Sequence, residues 1–323
     1  MVPAGLKAPV MGYLYRKHPT MYFLRTTAAL ACLTVIGLFS RCSPMPSGPV
    51  IAYPSPAPDT AALPFMPGIV CSDSLDFNAA FSPDLQSFYF TRRLKKWVML
   101  VTHYDGTKWT EPVRAPFADT RYAEADATFG PDGAVYFISN RPKRAGDSSG
   151  DYDIWRKRPL ANGSWSEAEN VTAINSDSTE YYISFAANGN LYFASFRRGG
   201  MGEGDIYVSK WVNGQYTKPE NLGPAINSPL TEHDPCVSPQ EDYLVFTAAD
   251  RKEGFGEADL YGAKRTGQKW CTAMNLGSRV NTPTYEYCSY FSPDGQYFFF
   301  SSNFDVKWVK ASAIRDDIDK LCK

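Results

Sequence analysis

The run Glu286 to Asn303, E-Y-C-S-Y-F-S-P-D-G-Q-Y-F-F-F-S-S-N, decides the fold, because the chain repeats it. Related cores stand at F-S-P-D-L from Phe81, F-G-P-D-G from Phe129, F-A-A-N-G from Phe185 and V-S-P-Q-E from Val237. Measured along these anchors to Phe291, the spacings are 48, 56, 52 and 54 residues, the period of a propeller blade rather than of a helical solenoid. In the Ser-Pro-Asp-Gly turn, Pro presets φ for a type I turn, Asp bonds its own backbone and Gly takes the positive φ. An aromatic run follows, as at Phe88 to Phe90 and Tyr297 to Phe300, which is the composition of a buried strand.

Three copies continue with an Arg, a polar loop and an Asp-apolar-aromatic triplet: Arg141 to Asp153-Ile154-Trp155, Arg197 to Asp205-Ile206-Tyr207, and Arg251 to Asp259-Leu260-Tyr261. Turn residues running into an aromatic come next (N-G-S-W, N-G-Q-Y, G-Q-K-W and, in the first copy, D-G-T-K-W). That makes four strands per repeat, and the reading is all-β: one propeller of four-stranded blades. Five anchors set five blades; a sixth would have to be drawn from Ser43 to Cys71. The last copy lacks a fourth strand, so a strand just before Ser74 is expected to close the ring, with Gly68 to Cys71 the candidate. Ser312 to Leu321 reads as a short amphipathic helix capped by Ser312.

The chain of 323 residues divides into a signal peptide or membrane anchor (1–41), a Pro-rich tether (42–70), the propeller (71–311) and a helical tail (312–323). Arg16, Lys17 and Arg25 precede an apolar run from Ala28 to Phe39 that is short for a membrane span, which is the pattern of a secretion signal. Met21 would by itself begin a signal of normal length. Cys42 follows where an acylated cysteine stands, although Arg41 departs from that pattern. The eight prolines between Ser43 and Pro67 predict an extended, unfolded tether. A formal net charge of -1 provides no field to gather nucleic acid. In an exported, oxidising setting, ring closure makes Cys71 and Cys322 the expected disulfide pair. With three histidines and no C-x-x-C, neither a zinc site nor a histidine-based triad is expected.

The motifs S-P-D-G-x-Y-x-x-F-S-S, R-x-G-G-x-G-x-x-D-I-Y and P-x-N-L-G-x-x-I-N-x-x-x-x-E resemble the WD40-like β-propeller repeats of TolB-type envelope proteins, especially those common in exported proteins of the Bacteroidetes type. The resemblance covers roughly residues 74 to 310. It implies a binding or scaffold module of the cell envelope; with Cys42 as the anchor, a monomer lipid-anchored on the periplasmic or outer surface is expected. Copies one and five depart from the pattern, lacking the Arg, the glycine-rich loop and the Asp triplet, so a site built from those parts would be lopsided.

Five residues before each anchor stands a carboxylate: Asp76, Glu124, Glu180, Glu232 and Glu286. Antiparallel alternation puts these carboxylates, Arg141, Arg197 and Arg251, and Asp153, Asp205 and Asp259 on one face of the disc, with the S-P-D-G turns on the other. That face is the expected site. Two readings of it stay open. In one, each carboxylate accepts backbone N–H bonds and each Arg pairs with the Asp of its own hairpin. In the other, carboxylates converging on the channel hold a cation, calcium or a partner's amine or guanidinium. Phe255 and Tyr122 lie near the same loops and offer rings for stacking on a sugar or peptide. Asp147, Asp151 and Asp153 form a second acidic loop, a solvated turn or a calcium site. Gly146 to Gly150 matches G-x-S-x-G but lacks the strand and helix of a nucleophile elbow.

The expected function is therefore non-enzymatic: a cell-envelope propeller recognising a protein segment or glycan on the channel-mouth face. The alternative is a glycoside hydrolase or lyase using channel carboxylates.

Overall fold

A computed structural model describes residues 50–322; the signal, Met21 and Cys42 lie outside them. The five repeats form five antiparallel sheets, each beginning at an inner strand: Asp76–Phe81, Glu124–Phe129, Glu180–Phe185, Thr231–Val237 and Glu286–Phe291. In blades 1 to 4 the strands follow in chain order from the axis outward, as do the first three of blade 5, so sequence neighbours are spatial neighbours. The chain is a five-bladed β-propeller with one C-terminal helix. Blade 3 adds a small hairpin, Trp211–Val212 with Gln215–Tyr216.

Apolar side chains fill the seams between blades. Tyr89 and Phe117 of blade 1 meet Phe137 and Trp155 of blade 2, while Tyr192 and Ile206 of blade 3 meet Phe246 and Tyr261 of blade 4. Backbone bonds staple the same seams. The loop between the second and third strands of one blade accepts from the leading residue of the next: Glu180 N–H reaches Tyr152 O at 2.8 Å, Glu232 N–H reaches Gly204 O at 2.9 Å, and Asp76 N–H reaches Phe304 O at 2.8 Å.

Ring closure comes from the N-terminal side, by residues earlier than expected. Leu63–Pro64 pairs antiparallel with Trp308 and Lys307 as the fourth strand of blade 5, whereas Gly68 to Cys71 forms the turn that follows. Residues 50–70 are accordingly no unfolded tether. Ile51, Phe65, Met66 and Val70 are buried in the seam between blades 5 and 1, and Trp109 Nε1 donates to Ala52 O at 2.8 Å. Proline content misled here because Pro sits well on the outer edge of a blade, where no neighbour requires its N–H.

The helix Ala311–Leu321 follows the last strand directly, without a cap from Ser312; Lys310 precedes it and makes no side-chain cap bond. Ile314 and Ile318 bury against blades 4 and 5. Gly262 permits this approach: a Cβ there would meet Ile318 Cγ1 at 2.6 Å. The docked helix delivers Cys322 to Cys271 on blade 4, and these two form the disulfide. The expected Cys71–Cys322 pair is thus corrected. Cys71 stays a buried thiol in the closing turn, its Sγ 3.2 Å from both Phe65 O and Val306 O, and burial pushes it up to about 12.

Candidate functional site

The five leading carboxylates begin the inner strands as expected, yet they do not line the channel. All are 0–1% exposed and bonded within the blades. Each accepts an N–H from the loop just upstream: Ser72 to Asp76 at 2.9 Å, Asp119 to Glu124 at 2.7 Å, Ser176 to Glu180 at 2.8 Å, Ser228 to Glu232 at 2.7 Å and Thr282 to Glu286 at 2.9 Å. Arg141, Arg197 and Arg251 pair with these carboxylates, Glu124, Glu180 and Glu232, and not with the Asp of their own hairpins. Blade 1 has its own version. Arg92 supplies the bond to Asp76 at 2.5 Å, so the first copy keeps the arginine's role although it lacks the glycine-rich loop and the Asp triplet. In blade 5 hydroxyls of Thr282, Thr284 and Ser302 take that place around Glu286.

The three hairpin aspartates are also committed. Asp205 accepts from Met201 N–H at 2.6 Å and Gly202 N–H at 3.3 Å, and Asp259 accepts from Phe255 N–H at 2.6 Å and Gly256 N–H at 3.3 Å. Glycine is required in these loops because they lie on the next blade: a Cβ on Gly202 would meet Leu230 O at 2.0 Å. Asp153 has Lys143 Nζ at 3.2 Å, and burial nevertheless raises its carboxyl to about 6. The same ammonium lies 3.0 Å from Asp151, so a lysine already fills the acidic loop that was read as a calcium candidate. Asn175, Asn227 and Asn281, from the P-x-N-L-G-x-x-I-N segments, clamp the third strands by bonding both N–H and C=O of Ile154, Ile206 and Leu260.

The axis belongs to different residues. Three positions before each anchor, Asn78, Asp126, Tyr182, Asp234 and Cys288 all take positive φ, between 47° and 65°. At this point every inner strand is bulged against its partner. All five residues are buried. They meet across the ring: Cys288 Sγ lies 3.8 Å from Asp126 Oδ1 and 3.5 Å from Asp234 Oδ2, while Cys288 N–H donates to Asp234 Oδ2 at 3.0 Å. Tyr182 OH donates to Ser289 O at 2.7 Å. A signal for this ring was present, since Asn and Asp are the non-glycine residues that best tolerate the left-handed region and occupy three of the five positions.

Burial drives Asp126 well above the usual carboxylate range, and the charge of Asp234 adds to it. Burial and the same two carboxylates raise the Cys288 thiol, which therefore stays protonated. His233 extends the cluster towards solvent, its Nδ1 3.1 Å from Asp234 Oδ1 and its Nε2 2.7 Å from Tyr285 OH. Around this centre, on the face of the leading carboxylates, aromatic rings follow one another. Phe196 and Tyr181 are 5.7 Å apart between centroids, Tyr181 and Tyr152 5.8 Å, Tyr152 and Trp97 5.0 Å, Trp97 and Phe77 5.8 Å, and Phe77 and Tyr287 5.8 Å. Tyr287 continues to Tyr285 at 5.6 Å, which stacks on His233 at 5.8 Å. Burial first, and then the charge of Asp126, Asp234 or both, raises the phenols of Tyr152, Tyr181, Tyr285 and Tyr287. Further out, Leu94, Met201, Phe255 and Phe304 are 58%, 40%, 48% and 62% exposed at the loop tips. Tyr122 instead covers Arg141, whose guanidinium carbon is 5.1 Å from its ring centre.

Two cavities flank the axis. One of about 450 Å³ lies among Leu75, Tyr285, Tyr287 and Phe304 on the aromatic face. Another of about 350 Å³ opens between the S-P-D-G turns and is lined by the anchor Phe81, Phe129, Phe185, Val237 and Phe291, with Asn78 and Tyr182 of the axial ring. Asp126, Asp234 and Cys288 line neither cavity; Tyr285 and Tyr287 of the first stand between it and the pair.

The pH dependence of stability follows from this burial. In the unfolded chain Asp126 ionises near pH 4, whereas the folded protein holds its proton higher, so over that window the native state binds more protons and stability falls as pH rises. Asp126→Asn is expected to flatten that slope and to stabilise the protein at pH 8 by on the order of 1–3 kcal/mol. Asp153, raised to about 6, slopes the same way between pH 4 and 6 in both proteins, so the difference isolates Asp126. Urea midpoints across pH 5 to 8 measure it; parallel profiles would remove the buried acid from the account.

No family model matches the chain, and no curated protein is similar to it. Among solved structures, a thermostable family-43 glycoside hydrolase is 12% identical over 80% of this chain and 91% of its own, at a TM-score of 0.47. A gluconolactonase, XC5397 from Xanthomonas campestris, is 12% identical over 73% of this chain and 85% of its own, at 0.43. The tricorn protease is 13% identical over 75% of this chain at 0.45, and the match spans 26% of the tricorn chain. Each is a likeness of shape at low identity and carries no argument about activity.

Proposed function

We propose that this chain is a binding propeller of the cell envelope, held there by its N-terminal segment through Cys42, acting as a monomer and taking a protein segment or glycan in the aromatic mouth. The finer resemblance to TolB-type envelope propellers belongs to this reading. The observation that carries it is the run of rings from Phe196 to His233, bordered by exposed apolar loop tips. Seam-filling aromatics need not reach a surface. Apart from Phe77, which is 5% exposed, these do, and a patch of large, half-buried rings offers flat apolar faces with polar edges, which stack on sugar rings or extended peptides at small entropic cost. Because the leading carboxylates and hairpin aspartates are committed inside the blades, their part in binding is to hold the loops that shape the mouth.

The test is a glycan and peptide array probed with the wild-type chain and with Trp97→Ala. At least tenfold weaker capture by the variant is expected. Unchanged capture, or no ligand on either array, would sink the reading. A hydrolase keeps one specific observation in its favour: Asp126 and Asp234 are two carboxyls in unlike surroundings, one raised by burial and the other beside His233. Glycoside turnover by the wild type that Asp126→Asn abolishes would establish that alternative.

A further inference from the structure

We propose that the mouth is built for an organic cation, the ammonium or guanidinium of a lysine or arginine side chain from a partner protein, which enters between the rings and neutralises Asp126 and Asp234. This rests on the binding reading above and names what is bound.

Most of the negative charge in the ring is answered by the chain itself. Asp76, Glu124, Glu180 and Glu232 each have an arginine, Glu286 has three hydroxyls, Asp153 has Lys143, and Asp205 and Asp259 each accept two backbone N–H groups. Asp126 is the exception, and Asp234 lies across the ring from it with the Cys288 N–H at 3.0 Å, the Cys288 thiol at 3.5 Å and the imidazole of His233 at 3.1 Å as its only partners among the described residues. They are 7% and 6% exposed and face one another through a single thiol, and among the described residues no lysine or arginine pairs with either. Among the described residues, the one hydrogen-bond partner of the Asp126 carboxyl is Cys288 Sγ at 3.8 Å, a weak donor at long range. Burying carboxylates costs several kcal/mol each unless they are paired, by a generic estimate of about that size. Every other acidic site in the ring meets that cost internally. The axial pair has no lysine or arginine of its own to meet it.

The approach to the pair has matching chemistry. From the aromatic face the carboxylates lie behind Tyr152, Tyr181, Tyr285 and Tyr287, close enough that their charge raises these phenols. Ring faces carry negative potential, so a cation crossing them is attracted before it reaches the carboxylates, whereas an anion is repelled throughout. A neutral sugar would gain the stacking but leave the charge unanswered. Arginine and lysine also place a charge at the end of an apolar stem, which suits carboxylates set behind aromatic rings.

Calorimetry of the full chain tests this with three acetylated, amidated tripeptides, Gly-Arg-Gly, Gly-Lys-Gly and Gly-citrulline-Gly, and with glucosamine. Citrulline is the neutral shape-mimic of arginine. The arginine or lysine peptide is expected to bind at least tenfold tighter than the citrulline peptide, and Asp126→Asn and Asp234→Asn, each checked for an intact urea transition, are expected to remove at least tenfold of that affinity. Trp97→Ala should weaken all peptides. Equal binding of the arginine and citrulline peptides, lost only in Trp97→Ala, overturns the cation while leaving the binding mouth intact. Preference for glucosamine over both basic peptides overturns a protein as the source of the charge. Affinities unchanged in both Asn variants place the peptide elsewhere and overturn the site.

Discussion

Phe65→Ala is expected to destabilise the chain by about 3–5 kcal/mol, the range for emptying a fully packed aromatic site. Phe65 is 0% exposed, and its ring lies 4.8 Å from Phe88, 4.9 Å from Phe299 and 5.2 Å from Trp308. Its N–H also donates to Val306 O at 2.8 Å, directly after the strand that closes blade 5. The residue therefore joins the first blade to the last, where the ring has no covalent continuity. A loss of that size in the urea midpoint, with an unchanged m-value, is the expected measurement. A loss below about 1 kcal/mol would mean that blades 5 and 1 hold together without the N-terminal segment.

Arg251→Ala is expected to cost a comparable amount, about 3–5 kcal/mol, because it strands a buried anion. Glu232 is 0% exposed; Arg251 Nη2 is 2.8 Å from its Oε1, and the guanidinium sits 4.4 Å from the centre of the Tyr261 ring. Arg251→Lys restores the charge but not the planar group that stacks on Tyr261, so it should recover only part of the loss. Pairing Arg251→Met with Glu232→Gln removes both charges together and should be milder than Arg251→Ala alone. If the double substitution costs more than the single one, the carboxylate acts through the N–H of Ser228 and not through its ion pair.

How much of the site could be read from sequence is clearest at the inner strands. The leading carboxylates were found by counting back from the turns, and their shared position is real. Their orientation was not legible, because standing at the start of an inner strand does not say whether a side chain turns to the axis or into the blade; the axial positions are set by a bulge just beyond them. Between Ala125 and Thr128, and at the equivalent point in each blade, the register shifts, and a residue in the left-handed region turns Asp126, Asp234 and Cys288 onto the axis. One displaced residue exchanges the faces that every side chain beyond it serves. The aromatic mouth was half visible: Phe255 was picked out, but Trp97, Tyr152 and Tyr287 come from three different blades and meet only when the ring closes.

Sequence by itself determined what local chemistry controls: the turn at each anchor, the strands on either side of it and the five-fold repeat from which five blades were expected, with a sixth left open. Those features need only neighbouring residues to agree, and each repeat states them again. Tertiary structure alone decided the closing strand at Leu63–Pro64, the Cys271–Cys322 bond and the acid pair at the axis. Each joins residues far apart in the chain, and their meeting is set by how five twisted sheets pack around a common centre, a geometry that no single segment encodes.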